Sequence, residues 1–175
     1  MEQRISFVTL AAHDLAATRA FYVDGLGWTA DLDVPGEVLM FSAGERLVLS
    51  LWDRAAFEDE VGAPVLAGEG VAPVTLAHNV ASPDEVRAVL RTAADAGAPV
   101  SGPVERDWGG FTGYFADPDG FRWEVAWNPG PIGVRVVPTP TSTPGPEGRE
   151  HASAPGARAR PAPRPGQAVR AWRWW

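Results

Sequence analysis

The chain has 175 residues, 45% of them hydrophobic, enough for one domain with a sizeable core or for two small repeated modules. It contains no cysteine, which excludes disulfides, thiolate metal sites and cysteine nucleophiles. All 15 basic residues are Arg, and the net charge of −7 divides unevenly: residues 1–129 carry 8 Arg against 20 carboxylates, whereas residues 130–175 carry 7 Arg against 2 Glu.

In chain order, MEQRISFVTL lacks the charged-then-apolar pattern of a signal peptide. Val8–Ala11, VTLA, reads as a strand. DLAATRAFYVDGLG then reads as a helix, with Asp14 as N-cap and Leu15, Phe21, Tyr22 and Leu26 on its apolar face. Strands are expected near Trp28–Leu32, at Glu37–Ala43 and at Arg46–Trp52, and the linker at about 53–72 holds a short helix, RAAFEDEV. VTLA recurs at Val74–Ala77 and a second helix follows. There Ser82 caps, Pro83 takes the first helical position and Gly97 stops the turn. Strands follow near Val100–Val104, at Phe111–Asp117 and at Phe121–Trp127. Asp117-Pro118-Asp119-Gly120 suits a type I turn between the last two. The pattern is β-α-β-β-β twice, module one at about 4–57 and module two at about 71–130. Residues 131–175 are rich in Pro, Gly, Ala and Arg, and are expected to be a disordered tail ending in Trp172, Trp174 and Trp175. No apolar run reaches the roughly 18 residues of a membrane helix, so the expected location is the cytoplasm. The acidic balance of residues 1–129 disfavours nucleic acid and anionic membranes as partners.

Module one, VTLAAHDLAATRAFYVDGLGW, resembles the opening of vicinal oxygen chelate proteins. That superfamily includes glyoxalase I, extradiol dioxygenases and the bleomycin and fosfomycin resistance proteins. Module two ends in GGFTGYFADPDGFRWEVAWNP, which resembles the superfamily's closing hairpin. The resemblance covers about residues 4–130. It implies an α+β fold of two paired βαβββ modules, whose curved mixed sheets enclose a cleft for metal and substrate, and it implies a homodimer. In metal-dependent members a His, Glu or Gln stands at each of four strand positions, and the ion they hold acts as a Lewis acid. The matching residues here are Phe7, Leu49 or Ser50, Pro73 or Thr75, and Glu124. Only Glu124 keeps the ligand type. No cofactor is therefore expected, although a divalent ion on Glu124 with His78 stays open if the register of the second VTLA strand slips by one.

Alternation puts Phe121, Trp123, Val125 and Trp127 on one face of the last strand, toward the helices, and Arg122, Glu124 and Ala126 on the concave face. Glu124 is then an ion-pair partner of Arg122, a pocket carboxylate for a ligand, or a general base. Phe7, Trp52, Thr75, Trp108, Tyr114 and Arg122 are the other candidate ligand contacts, Trp108 as an aromatic lid carried on Gly109 and Gly110. There is no phosphate-cradling G-x-x-x-x-G-K loop and no G-x-S-x-G elbow. The expected function is metal-independent binding of a small aromatic or cationic molecule. The alternatives are a metal-dependent lyase or dioxygenase-type enzyme using Glu124, and a regulatory or scaffold domain.

Overall fold

The computed structural model describes residues 1–65 and 70–138. Two four-stranded mixed sheets carry the βαβββ pattern twice. The first sheet contains β1 (Phe7–Ala12), β2 (Leu32–Val34), β3 (Val38–Ser42) and β4 (Val48–Asp53), in spatial order β1-β4-β3-β2. The second contains β5 (Thr75–Asn79), β6 (Val100–Glu105), β7 (Phe111–Ala116) and β8 (Arg122–Trp127), in the matching order β5-β8-β7-β6. In each, the first strand runs parallel to the last and the other pairs are antiparallel. A helical connection must therefore carry the chain across each sheet.

Helix α1 (Leu15–Arg19) starts where Asp14 accepts hydrogen bonds from the N–H groups of Ala16 and Ala17, and it continues as a π-helical segment, Ala20–Gly25. Helix α2 (Arg54–Val61) is the expected RAAFEDEV helix, capped by Asp53 and closed by Gly62 at φ 73°. Helix α3 (Pro83–Asp95) has the expected Ser82 cap, with Pro83, Asp84 and Glu85 in its first turn. Gly97 follows it at φ 91°. Its Val86, Leu90 and Ala93 join one core with Leu10, Phe21, Tyr22, Phe41, Leu51, Phe115, Trp123 and Val125. The two modules thus share a single apolar interior.

Two elements differ from expectation. The strand expected near 28–32 forms four residues later, because Trp28 is drawn into the core against Tyr22, Phe41 and Trp123. Beyond the boundary expected at 130, Pro131–Val136 form a short helix, α4, whose Gly133 is buried against Asn128. Met1–Val137 make one compact unit. The tail expected to be disordered lies, from residue 139 onward, outside the described residues. Among the described residues no helix is long and apolar enough to cross a membrane.

Candidate functional site

The register of β5, β7 and β8 places the candidate residues of module two. β8 pairs Arg122 with Thr75, Glu124 with Ala77 and Val125 with His78. On its other side Glu124 pairs with Tyr114, and Ala126 with Thr112. Since facing residues in a ladder share a face, Thr75, Tyr114, Arg122 and Glu124 come together on the side away from α3. Trp123, Val125 and Phe115 turn inward, as the alternation predicts, and are buried. His78 lies on that inward side. The one-residue slip that would bring it to Glu124 does not occur, so the two do not meet.

Glu124 is half-buried, and its Oε1 accepts a hydrogen bond of 2.9 Å from the Tyr114 hydroxyl. No Arg122–Glu124 ion pair forms among the described residues; the tyrosine takes that place. Burial, then the bond to Glu124, holds the Tyr114 hydroxyl above its ordinary value, while Arg106 acts in the opposite sense. Arg106 is tied by its Nε to the Thr112 hydroxyl at 2.6 Å. The arrangement is a carboxylate, a phenol and a guanidinium around a patch that includes the exposed Thr75 and Ala77. It offers an acceptor for a hydrogen-bonding or cationic group, beside an aromatic edge.

The internal repeat decides between the alternatives at the four strand positions that the resemblance points to. Asp14 caps α1 seven residues after Phe7, and Ser82 caps α3 seven residues after Thr75. Thr75 is therefore the counterpart of Phe7, and Pro73 lies outside β5. Thr9 pairs with Ser50 as Ala77 pairs with Glu124, so Ser50, not Leu49, is the counterpart of Glu124. Ser50 is fully buried and accepts a 2.7 Å bond from the Trp52 indole N–H. A phenyl ring, two hydroxyls and one carboxylate do not fit a divalent ion, which takes His, carboxylate or carbonyl ligands in greater number. No group of three or more His, Asp or Glu that could hold a metal occurs among the described residues.

The model of the Glyoxalase/Bleomycin resistance protein/Dioxygenase superfamily matches residues 4–125. The chain belongs to this superfamily. A glyoxalase-related enzyme from Fulvimarina pelagi is 32% identical, with 73% of this chain and 90% of that one covered and a TM-score of 0.67. A glyoxalase/bleomycin resistance protein/dioxygenase from Nocardioides is 30% identical over 74% and 89% of the two chains, with a TM-score of 0.62. Lactoylglutathione lyase from Agrobacterium tumefaciens is 26% identical over 73% and 95%, with a TM-score of 0.57. No curated protein matches the chain.

Within this superfamily fold the remaining candidates are scattered. Trp52 is buried, its ring edge-on to Phe57 of α2. Phe7 is half-buried at the start of β1. Trp108 is 55% exposed and folds its ring back over Gly110, in a turn closed by the Arg106 and Gly110 backbone. Arg106 and Thr112 are absent from the sequence-based set. Thr112 could have been found, since it lies two residues before Tyr114 and so on the same face. The buried carboxylate Asp117 is a further omission. Its Oδ2 accepts from the Tyr22 hydroxyl at 2.8 Å, and that hydroxyl accepts from the Trp123 indole N–H at 2.9 Å.

Proposed function

We propose that this superfamily member is a metal-independent binding protein, taking a small aromatic or cationic molecule on the face of the second sheet around Glu124. The observation that carries the reading is the donor set. Of the four positions that would ligate a metal, only Glu124 bears a charge, and its carboxylate is engaged by Tyr114. A half-buried carboxylate beside a tyrosine suits a cationic aromatic ligand, which gains both charge pairing and ring contact. Thr75 and Arg122 border the patch. A homodimer, in which a second copy adds a wall to this open face, belongs to the same proposal.

The test combines two measurements on the full chain. Elemental mass spectrometry of protein purified without chelator is expected to find no stoichiometric metal; near-stoichiometric Ni, Zn, Fe or Mn would overturn the reading in favour of a lyase or dioxygenase. Calorimetric titration with phenyltrimethylammonium, run beside sedimentation, is expected to show saturable binding by a dimer. Glu124→Gln should weaken that binding by about tenfold, as loss of a charge-assisted contact implies. Undiminished binding by the variant would remove Glu124 from the site.

A further inference from the structure

The inward face of the second sheet is covered unevenly. α3 packs chiefly over β6, β7 and β8, leaving the β5 side open. Between α3 and the end of the π-helical segment lies a cleft of about 290 Å³, lined by Leu26, Trp28, His78, Val89, Phe115 and Trp123. It opens on the side of the sheet opposite Glu124 and is independent of the site proposed above.

Three features of this cleft point to one kind of occupant. Its walls are aromatic: the Trp28 and Trp123 rings meet nearly perpendicular at 5.7 Å, and Phe115 stacks on Trp123 at 5.9 Å. Its volume is near the lower limit for small-molecule pockets, while a cavity of roughly 150 Å³ already takes benzene. A one- or two-ring molecule fits, and a peptide helix does not. Finally, the His78 imidazole borders the cleft, and among the described residues nothing hydrogen-bonds its ring. Burial holds this imidazole below its ordinary value, against the pull of Glu85, so near neutral pH it is uncharged and presents one donor and one acceptor. The other polar side chain in the wall, Thr92, already donates its hydroxyl proton to the Ala88 carbonyl. Among the described residues no carboxylate or guanidinium lines the cleft.

We propose that this cleft is a second binding site, for a planar aromatic molecule of one or two rings with a single uncharged hydrogen-bonding group, as in a phenol or a naphthol. The rings lie against Trp28 and Trp123, and the polar group bonds to His78. An apolar ring system without that group leaves the imidazole unpaired and binds more weakly.

The test uses isotope-labelled full-length protein and the matched pair 2-naphthol and naphthalene. 2-Naphthol is expected to give saturable shifts at the His78 ring and the Trp28 and Trp123 indole N–H resonances. Naphthalene should bind about tenfold more weakly, the loss of one hydrogen bond. His78→Leu should bring 2-naphthol down to the naphthalene level. Val89→Trp, which fills the cleft, should abolish both. Shifts confined to Thr112, Tyr114 and Glu124, an undiminished naphthol preference in His78→Leu, or no saturation by either compound would each overturn the proposal.

Discussion

Asp117 occupies a hairpin turn, where a carboxylate is ordinarily solvated, yet it is only 3% exposed. Burial raises its pKa from 3.8 to about 6, and the nearby Asp119 adds to the rise. Hydrogen bonds from the Tyr22 hydroxyl and the Phe121 and Asp119 backbone N–H groups favour the ionised form and oppose the shift. The folded-state value lies above the unfolded one, so the folded state holds the proton more tightly. Its contribution to stability is complete below about pH 4 and is lost as pH rises through 6, on the order of 3 kcal/mol in all. Asp117→Asn removes the titration. It also sets an amide N–H₂ against a tyrosine hydroxyl that already accepts from Trp123. The variant is expected to be less stable than the parent at pH 4.5 and to close the gap by pH 7.5. Melting temperatures across that range check it; parallel curves for the two proteins would contradict the assignment.

At the scale of elements, α3 sits where it does because β7 offers it a residue without a side chain. A Cβ on Gly113 would lie 2.4 Å from Leu90 Cδ1, 3.0 Å from the Ser101 carbonyl oxygen and 3.3 Å from Pro103 Cα. The leucine tip can move, but the two backbone atoms cannot do so cheaply. Gly113→Ala is therefore expected to cost about 1–3 kcal/mol, read as a lower urea midpoint with an unchanged slope. An effect below about 0.5 kcal/mol would show that α3 slides freely on the sheet. Such a glycine cannot be identified from FTGYFA alone, since its constraint comes from a helix some twenty residues earlier. What is legible is what a few neighbouring residues decide: the VTLA strands, the caps at Asp14 and Ser82, and the inward turn of Trp123 and Val125. The Glu124 face follows from alternation for the same reason. The delayed start of β2 is not legible, because Trp28 is held by aromatic rings from β3 and β8. Nor is the role of the DPDG carboxylates, whose partners His13, Thr18 and Tyr22 lie about a hundred residues away, just before α1, in it and in its π-helical continuation.

Those distant partners decide how the whole chain unfolds. The Asp119 carboxylate accepts from the His13 backbone N–H at 2.6 Å and from the Thr18 hydroxyl at 2.8 Å, while Asp117 holds Tyr22. The closing hairpin of module two is thus bonded to the first helix of module one. Tyr22 and Phe21 pack directly on Trp123 and Phe115. Gly25 and Ala96 bring the two helices so close that a Cβ on Gly25 would stand 2.5 Å from the Ala96 methyl. Neither module has a core to itself: unfolding module two would expose the inner face of module one's helix and take the carboxylate acceptors from the Tyr22 and Thr18 hydroxyls. A chain built this way loses both sheets together. Urea unfolding followed by far-ultraviolet circular dichroism and by tryptophan fluorescence is expected to give coincident single transitions. Asp119→Ala, which leaves the His13 N–H to water and the buried Thr18 hydroxyl with the Asp14 carbonyl as its acceptor, should cost about 1–2 kcal/mol of stability, read as a lower midpoint, and keep the two probes coincident. Two separated transitions, in the parent or in the variant, would mean that the modules stand alone and that the hairpin carboxylates serve only their own turn.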